Sequence, residues 1–437
     1  MQEAPPSVSV STRLLRIAQL AREAPEMAFS NLAHHVDLDW MKEAFRRTRK
    51  DGATGVDGQS AAQFAESLEV NLQGLLNGMR AGSYHAPPVR RVFIPKADGK
   101  QRPLGIPTFG DKVLQRAVAM ALEAVYEQDF LDCSYGFRPA RSAHQALETL
   151  WRSLGVRGGW VLEVDIKGFF DNLDHRQLRA ILDSRVRDNS LRRLIDKWLK
   201  AGVLEGGKVR HSALGTPQGG VISPILANIY LHEVVDTWFE KEVKPRLNGR
   251  AKMVRFADDL VMVFDNGVDA KRVCDVLAKR FVRFGLELHP EKTKLIQFKP
   301  SPGGKAPTFD FLGFTHHWAP AKKTPWTVRR RTAKSRLSRS LRAISEWCRK
   351  NLHRSIGDQW KALSQRLRGH YAYYGITGNA KPLQNFLHQT TLIWRNWLNR
   401  RSQRAKMDWD KTKLLLKRWP LPQPRIYHSA LSFAAKL

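Results

Sequence analysis

The stretch Met253–Phe264, "MVRFADDLVMVF", constrains this chain more than any other, because it sets two adjacent carboxylates, Asp258 and Asp259, between apolar runs. Neighbouring side chains on a strand point to opposite faces. The two acids act together only on the turn of a hairpin, with Val254 and Phe256 before it and Val261 and Val263 after it burying the flanking strands. A second apolar strand opens "WVLEVDIKGFFDNL" (160–173), with Val161, Glu163 and Asp165 on one face and Trp160, Leu162 and Val164 on the other. If the two strands are neighbours, Asp165, Asp258 and Asp259 converge at their tips. Such a cluster is costly unless it holds hard cations through oxygen ligands. A lone acidic turn is ordinary surface chemistry, so the surrounding motifs decide between the two readings.

The charge balance narrows the partners. Among 437 residues, 73 Lys and Arg stand against 41 Asp and Glu, a net charge of +32. A folded chain this basic repels itself, and nucleic acid is the usual counter-charge, with an anionic membrane surface as the other reading. No apolar run approaches the roughly 20 residues of a membrane span. Cys133, Cys274 and Cys348 are far apart, which implies neither a disulfide framework nor a cysteine zinc site and suits a reducing, cytoplasmic setting. The N-terminus lacks the pattern of a secretory signal, and Glu3, Glu23 and Glu26 argue against an organelle leader.

Along the chain, residues 1–30 read as a tail with a short helix, and 31–85 as helices around the loop "DGATGVDG". "RRVFIPKADGKQRPLGIP" reads as strand, Asp-Gly turn, strand. Helices are expected over 111–130, 142–154, 174–186, 190–201 and 269–284, with Asp174 capping one and Ser223 with Pro224 opening another. Strands are expected near 293–298 and at "FDFLGF" (309–314). Beyond residue 320 the composition turns basic and Trp-rich, and Leu337, Leu341, Ile344 and Trp347 keep helical spacing.

Read together, "FADD" after a strand, "DIKGFFD" (165–171) and "GTPQGGVISPILANIYL" (215–231) resemble a reverse transcriptase palm. "GVDG" (55–58), "IPKADGKQRPLGIP" (94–107), "SYGFRPARSAHQAL" (134–147), "GLELHPEKTKLI" (285–296), "FLGF" (311–314) and "RGHYAYYGITGN" (368–379) follow in the order of the group II intron reverse transcriptase/maturase family. The resemblance runs from about residue 30 to the C-terminus. It implies an α/β right-hand polymerase: fingers and palm over 31–320 with an antiparallel palm sheet backed by helices, an all-α thumb over 321–380, and a basic helical region over 381–437. It also implies RNA-directed DNA polymerase activity with two Mg²⁺ ions, Mn²⁺ being the alternative, and dNTPs, an RNA template, a DNA primer, structured intron RNA and target DNA as partners.

Position by position, the resemblance makes Asp165, Asp258 and Asp259 the catalytic and metal-binding acids, joined by the Ile166 backbone. Lys96 and Arg102 match triphosphate contacts, and a Lys point charge beside an Arg fork suits that task. Phe170 matches the ring that excludes ribonucleotides, Phe169 a core residue, Gln218 a contact near the nascent base pair, and Lys292 a proton donor to pyrophosphate. Phe311, Leu312, Gly313 and Phe314 match the primer grip. Arg329, Arg330, Arg331, Arg395, Arg400, Arg401 and Arg404 are the nucleic-acid contacts, whereas Trp394 and Trp397 read as core.

The family usually has tyrosine where this chain has Phe256; metal binding survives that change, while nucleotide discrimination is open to it. The absence of paired cysteines near the C-terminus predicts no HNH endonuclease. Two further readings stand beside a polymerase that assists splicing of its intron: a free-standing enzyme for repair or defence, and a splicing cofactor without polymerase activity.

Overall fold

The computed structural model describes residues 9–95, 101–155, 158–205, 208–210, 219–301, 306–321, 325–401 and 407–428. The chain divides into two compact units, one of residues 1–146 and 161–295, the other of 147–160 and 296–437.

The first unit is built around the helix Phe109–Tyr126, which is buried along most of its length, from Val113 and Leu114 to Val125 and Tyr126. Thr108 caps it, its hydroxyl accepting from the Asp111 N–H. Strands β1 (Val89–Pro95) and β2 (Gln101–Ile106) form the expected antiparallel hairpin, with Ile94 opposite Arg102. The Asp-Gly turn expected between them, and Lys96, lie outside the described residues. β1 also pairs in parallel with β4 (Val203–Glu205), which pairs with β5 (Lys208–Arg210).

A second sheet, most of whose residues lie in this unit, carries the acids. Its order is β6-β7-β3-β8, formed by β3 (Gly159–Val164), β6 (Ala251–Phe256), β7 (Asp259–Phe264) and β8 (Lys294–Phe298). β3 and β7 are therefore neighbours. β3 is buried on both faces except at Trp160 and Glu163, so the expected alternation is blurred. That follows from its central place in the sheet, where both faces are covered.

Helices form at Ala143–Leu154, His175–Arg185, Asn189–Leu199 and Gly267–Arg283, as expected within a few residues. Asp174 caps the second of these, accepting from the Arg176 and Gln177 amides. The helix Ser223–Leu231 departs from expectation: Ile222 stands at its cap, and Ser223 is buried inside the first turn. The helix continues as a wider, π-type turn over His232–Val243.

In the second unit, β9 (Phe309–Phe311), β10 (Phe314–Pro320) and β11 (Trp326–Thr332) form an antiparallel sheet. Residues 326–332 are thus a strand rather than the helical start of an all-α segment, and the 320 boundary falls between paired strands. Helices Lys334–Lys350, Ile356–Tyr374, Ala380–Asn399 and Trp409–Arg418 follow. They share a core of Ile344, Cys348, Leu363, Leu367, Tyr371, Leu383, Phe386, Trp394 and Leu398.

Candidate active site

The β6–β7 register sets Phe256 opposite Asp259, so Ala257 and Asp258 form a two-residue turn. Ala257 adopts φ +57°, the conformation such tight turns demand of their first position. Asp258 is half-buried at the tip, while Asp259 opens β7 and is exposed.

A buried arginine holds this turn. Arg255 is 1% exposed, in the strand directly before it. Its guanidinium grips Asp236, itself fully buried, through Nε at 2.7 Å and Nη2 at 2.5 Å. Its Nη1 donates to Asn228 Oδ1 and to the Ala257 carbonyl, both at 3.0 Å. A buried ion pair needs its remaining donors satisfied, and the turn carbonyl is one of the acceptors that does so. The segment Cys133–Arg138 is fastened to the same strand: the Arg255 N–H donates to the Cys133 carbonyl, and the Tyr135 N–H to the Arg255 carbonyl. Gly136 lies so close that a Cβ there would collide with the Ala257 nitrogen.

Asp165 follows β3 and is half-buried. Lys292 Nζ stands 2.8 Å from its Oδ2. The Asp165 carbonyl accepts from the His289 N–H, and the Lys167 N–H donates to the Glu287 carbonyl. These two bonds flank Ile166, whose own carbonyl takes no part in them. Burial pushes the Asp258 carboxyl above the usual carboxylate range, and the Asp165 charge adds to this; Arg102 and Arg255 pull it back. The Asp258 carboxyl therefore feels the charges of Asp165 and Arg102. The expected convergence of three carboxylates is not seen: among the described residues, no three acidic, histidine or cysteine side chains gather closely enough to hold a metal ion.

Around this centre, Phe169 is buried at 2% exposure and Phe170 half-buried, their rings edge to face at 5.2 Å. Arg102 is exposed on β2. Gly219, at φ +114°, packs its backbone on the Gly105 carbonyl of the same strand, where no side chain would fit. Its loop is held from below, since the Ile222 N–H donates to Gln115 Oε1 and Gln115 Nε2 to Asp111 Oδ2. Asp111 also accepts from Tyr84 and from the Trp198 indole, both at 2.6 Å. Burial pushes its carboxyl up to about 6. Gln218 lies outside the described residues, as does Arg404.

The second unit sorts its candidates by burial. Phe311 and Phe314 are buried, Phe314 against Tyr373 and Tyr374, so they are core and only the Leu312–Gly313 turn faces outward. Tyr373 donates to the Leu312 carbonyl at 2.9 Å. Arg330 likewise turns inward: it is 7% exposed, 3.5 Å from Glu148 and over the Trp151 ring, so it is a core ion pair rather than a nucleic-acid contact. Arg329 and Arg331, on the opposite face of the strand, are exposed. Arg400 and Arg401 are exposed, while Arg395 is half-buried over Trp409 with Nε on the Met407 carbonyl. Trp394 is core, its indole donating to Gln359. No helix among the described residues is long and apolar enough to cross a membrane.

Arg255, Asp236 and Asn228 went unnoticed in the sequence. The signal was there: a lone arginine in the apolar strand "AKMVRF" and a lone aspartate in "EVVDTWF" must either face water or find each other.

The chain is similar in sequence to known proteins. The chain is 41% identical over 226 residues to the group II intron-encoded protein LtrA of Lactococcus lactis subsp. cremoris, covering 51% of this chain and 37% of that protein. It is 38% identical over 256 residues to protein YkfC of Escherichia coli K12, covering 56% of this chain and 66% of YkfC. An uncharacterized 91 kDa protein in a cob intron of Schizosaccharomyces pombe is 41% identical over 168 residues, 38% of this chain and 21% of that protein. The profile of the family "Reverse transcriptase (RNA-dependent DNA polymerase)" matches residues 94–316, more than half of the chain and the span that holds Arg102, Asp165, Phe170, Asp258 and Lys292. This chain belongs to the reverse transcriptase family and carries its RNA-dependent DNA polymerase domain.

Proposed function

We propose that the chain extends a DNA primer on an RNA template and, with the same basic surface, binds the intron RNA whose splicing it assists. The observation that carries the polymerase reading is the approach of Asp165 and Asp258 at the tips of neighbouring strands, with Arg102 in electrostatic reach. The intron reading draws on the family, on the relatives whose names place them in introns, and on the net charge of +32.

The donor set suits magnesium. Two hard carboxylates and the Ile166 carbonyl are oxygen ligands, the raised Asp258 carboxyl calls for a nearby cation, and a lysine ammonium already sits on Asp165. Asp165, Asp258 and the Ile166 carbonyl would hold the metal, with Asp259 in support. A divalent cation held there would supply Lewis acidity at the primer 3′-oxygen and counter-charge for the triphosphate.

The chain's own residues do the rest. Arg102, and Lys96 from the same "IPKADGKQRPLGIP" stretch, clamp the triphosphate. Phe170 stands against the sugar and rejects a 2′-hydroxyl. Arg255 keeps Asp258 in place through the Ala257 carbonyl. Lys292, whose ammonium stands on Asp165, would donate a proton to departing pyrophosphate. The Gly219–Ile222 loop supports the nascent pair. We assign 31–333 to fingers and palm, which keeps the β10–β11 hairpin whole, and the basic helices from Lys334 onward to thumb and RNA-binding region. Arg329 and Arg331 on β11, with Arg400 and Arg401 after the third helix, are the nucleic-acid contacts.

Primer extension on an RNA template with dNTPs and Mg²⁺, wild type beside Asp258→Ala, tests this. Extension by the wild type alone supports the reading. Extension by both would remove Asp258 from the chemistry, and tight RNA binding without extension by either would leave a splicing cofactor.

A further inference from the structure

Phe137 combines three features that rarely meet in one residue. It is a large apolar side chain 59% exposed to solvent. Its backbone sits at φ +56°, a conformation that bulky residues avoid. Its ring lies 6.4 Å from that of Phe256, the residue two before Asp258.

Folding alone does not explain it. The ring gains little from burial, and the backbone pays strain to point it outward. The strain is imposed by the neighbours on either side. Gly136 is pressed on Ala257, and its carbonyl accepts from Asn228 Nδ2 at 2.7 Å. Arg138 is buried, donating to the carbonyls of Leu131 and Ser134 at 2.8 and 2.9 Å and ion-paired with Glu127. Tyr135 and Cys133 are bonded to Arg255. The loop is thus fixed on both sides of Phe137, before it by groups that also fix the catalytic turn and after it by the buried Arg138, and the ring is left in solvent.

We propose that Phe137 is a substrate-contacting residue whose ring, beside Phe256, packs against the 3′-terminal nucleotide of the primer. The inference rests on the polymerase reading above, which puts the primer 3′-oxygen at Asp165 and Asp258. The chemistry favours the primer end over the incoming nucleotide. The triphosphate is met by cationic Arg102, whereas an aromatic ring with no donor suits the apolar face of a sugar and its base. A rigid mount preorganises this contact, so no order is lost when the primer binds.

The test compares Phe137→Ala, Phe137→Gly and Phe137→Trp with wild type in single-nucleotide extension, alongside thermal melting. The expected result is that Ala and Gly melt no lower than wild type and extend about tenfold less efficiently at subsaturating primer–template. Trp is expected to keep most of the activity. The dNTP KM, the half-saturating Mg²⁺ and the preference for dNTP over rNTP stay unchanged. Wild-type efficiency in Phe137→Ala overturns the proposal, as does a loss that tracks a lowered melting temperature or a raised dNTP KM. A wild type that does not extend primers removes the polymerase reading and this contact with it; a wild type that extends while the variants match it removes the contact alone.

Discussion

Lys292 Nζ rests 2.8 Å from Asp165 Oδ2, so the side chain expected to act late in the reaction occupies the acid expected to bind metal first. Both partners are partly exposed, and such ion pairs are worth at most about 1 kcal/mol. Lys292→Met is therefore expected to lower the half-saturating Mg²⁺ only about two- to fivefold, while the extension rate at saturating Mg²⁺ falls because the proton donor is gone. A Mg²⁺ titration of extension rate separates the effects; an unchanged midpoint would mean that the pair does not compete with the metal.

Arg255 and Asp236 form a buried pair, so breaking one side strands a charge. Arg255→Met should cost about 3–5 kcal/mol in denaturant unfolding. Pairing it with Asp236→Leu should restore most of that stability, because two apolar groups replace two charges. Activity should stay low in the double variant, since the Ala257 carbonyl has still lost its donor. Full recovery of extension would show that the pair serves stability alone.

Phe170→Ala should admit ribonucleotides, with the ratio of rNTP to dNTP incorporation rising at least tenfold, on the order of the 1–3 kcal/mol a steric contact discriminates. Single-turnover incorporation of paired rNTP and dNTP substrates gives the ratio directly; an unchanged ratio would leave Phe170 as packing for Phe169.

Asp111 makes stability depend on pH. Its carboxyl is pushed up to about 6 from the ordinary 3.8 by burial. The native state then holds its proton more tightly than the unfolded chain, so this contribution is present below pH 3.8 and is lost as pH rises through 6. Asp111→Asn stays neutral, so its melting temperature should gain on wild type as pH climbs from 4 to 7. Parallel melting curves across that range would place the titration elsewhere.

The parts read correctly from sequence were those with a local code. Alternating apolar residues around Asp258 gave the hairpin, and Asp174 gave a cap. The misreadings share a cause, namely partners far along the chain. "VRRRT" has no strand signature until Arg330 is seen to find Glu148, 182 positions earlier in the chain. Ser223 falls inside the first turn and Ile222 at the cap, where the Ile222 N–H is taken by Gln115 from another helix. Phe137 was invisible because a positive φ is written in no residue type except glycine.

The lone arginine of β6 has one more consequence. β6 is buried on both of its faces, so the polar–apolar alternation that fixes register in a one-sided strand is weak there. A slip of one residue in β6 would turn Arg255 away from Asp236 and leave two unpaired charges in an apolar interior. The guanidinium thus acts as a register key, favouring the alignment that puts Asp258 at the tip.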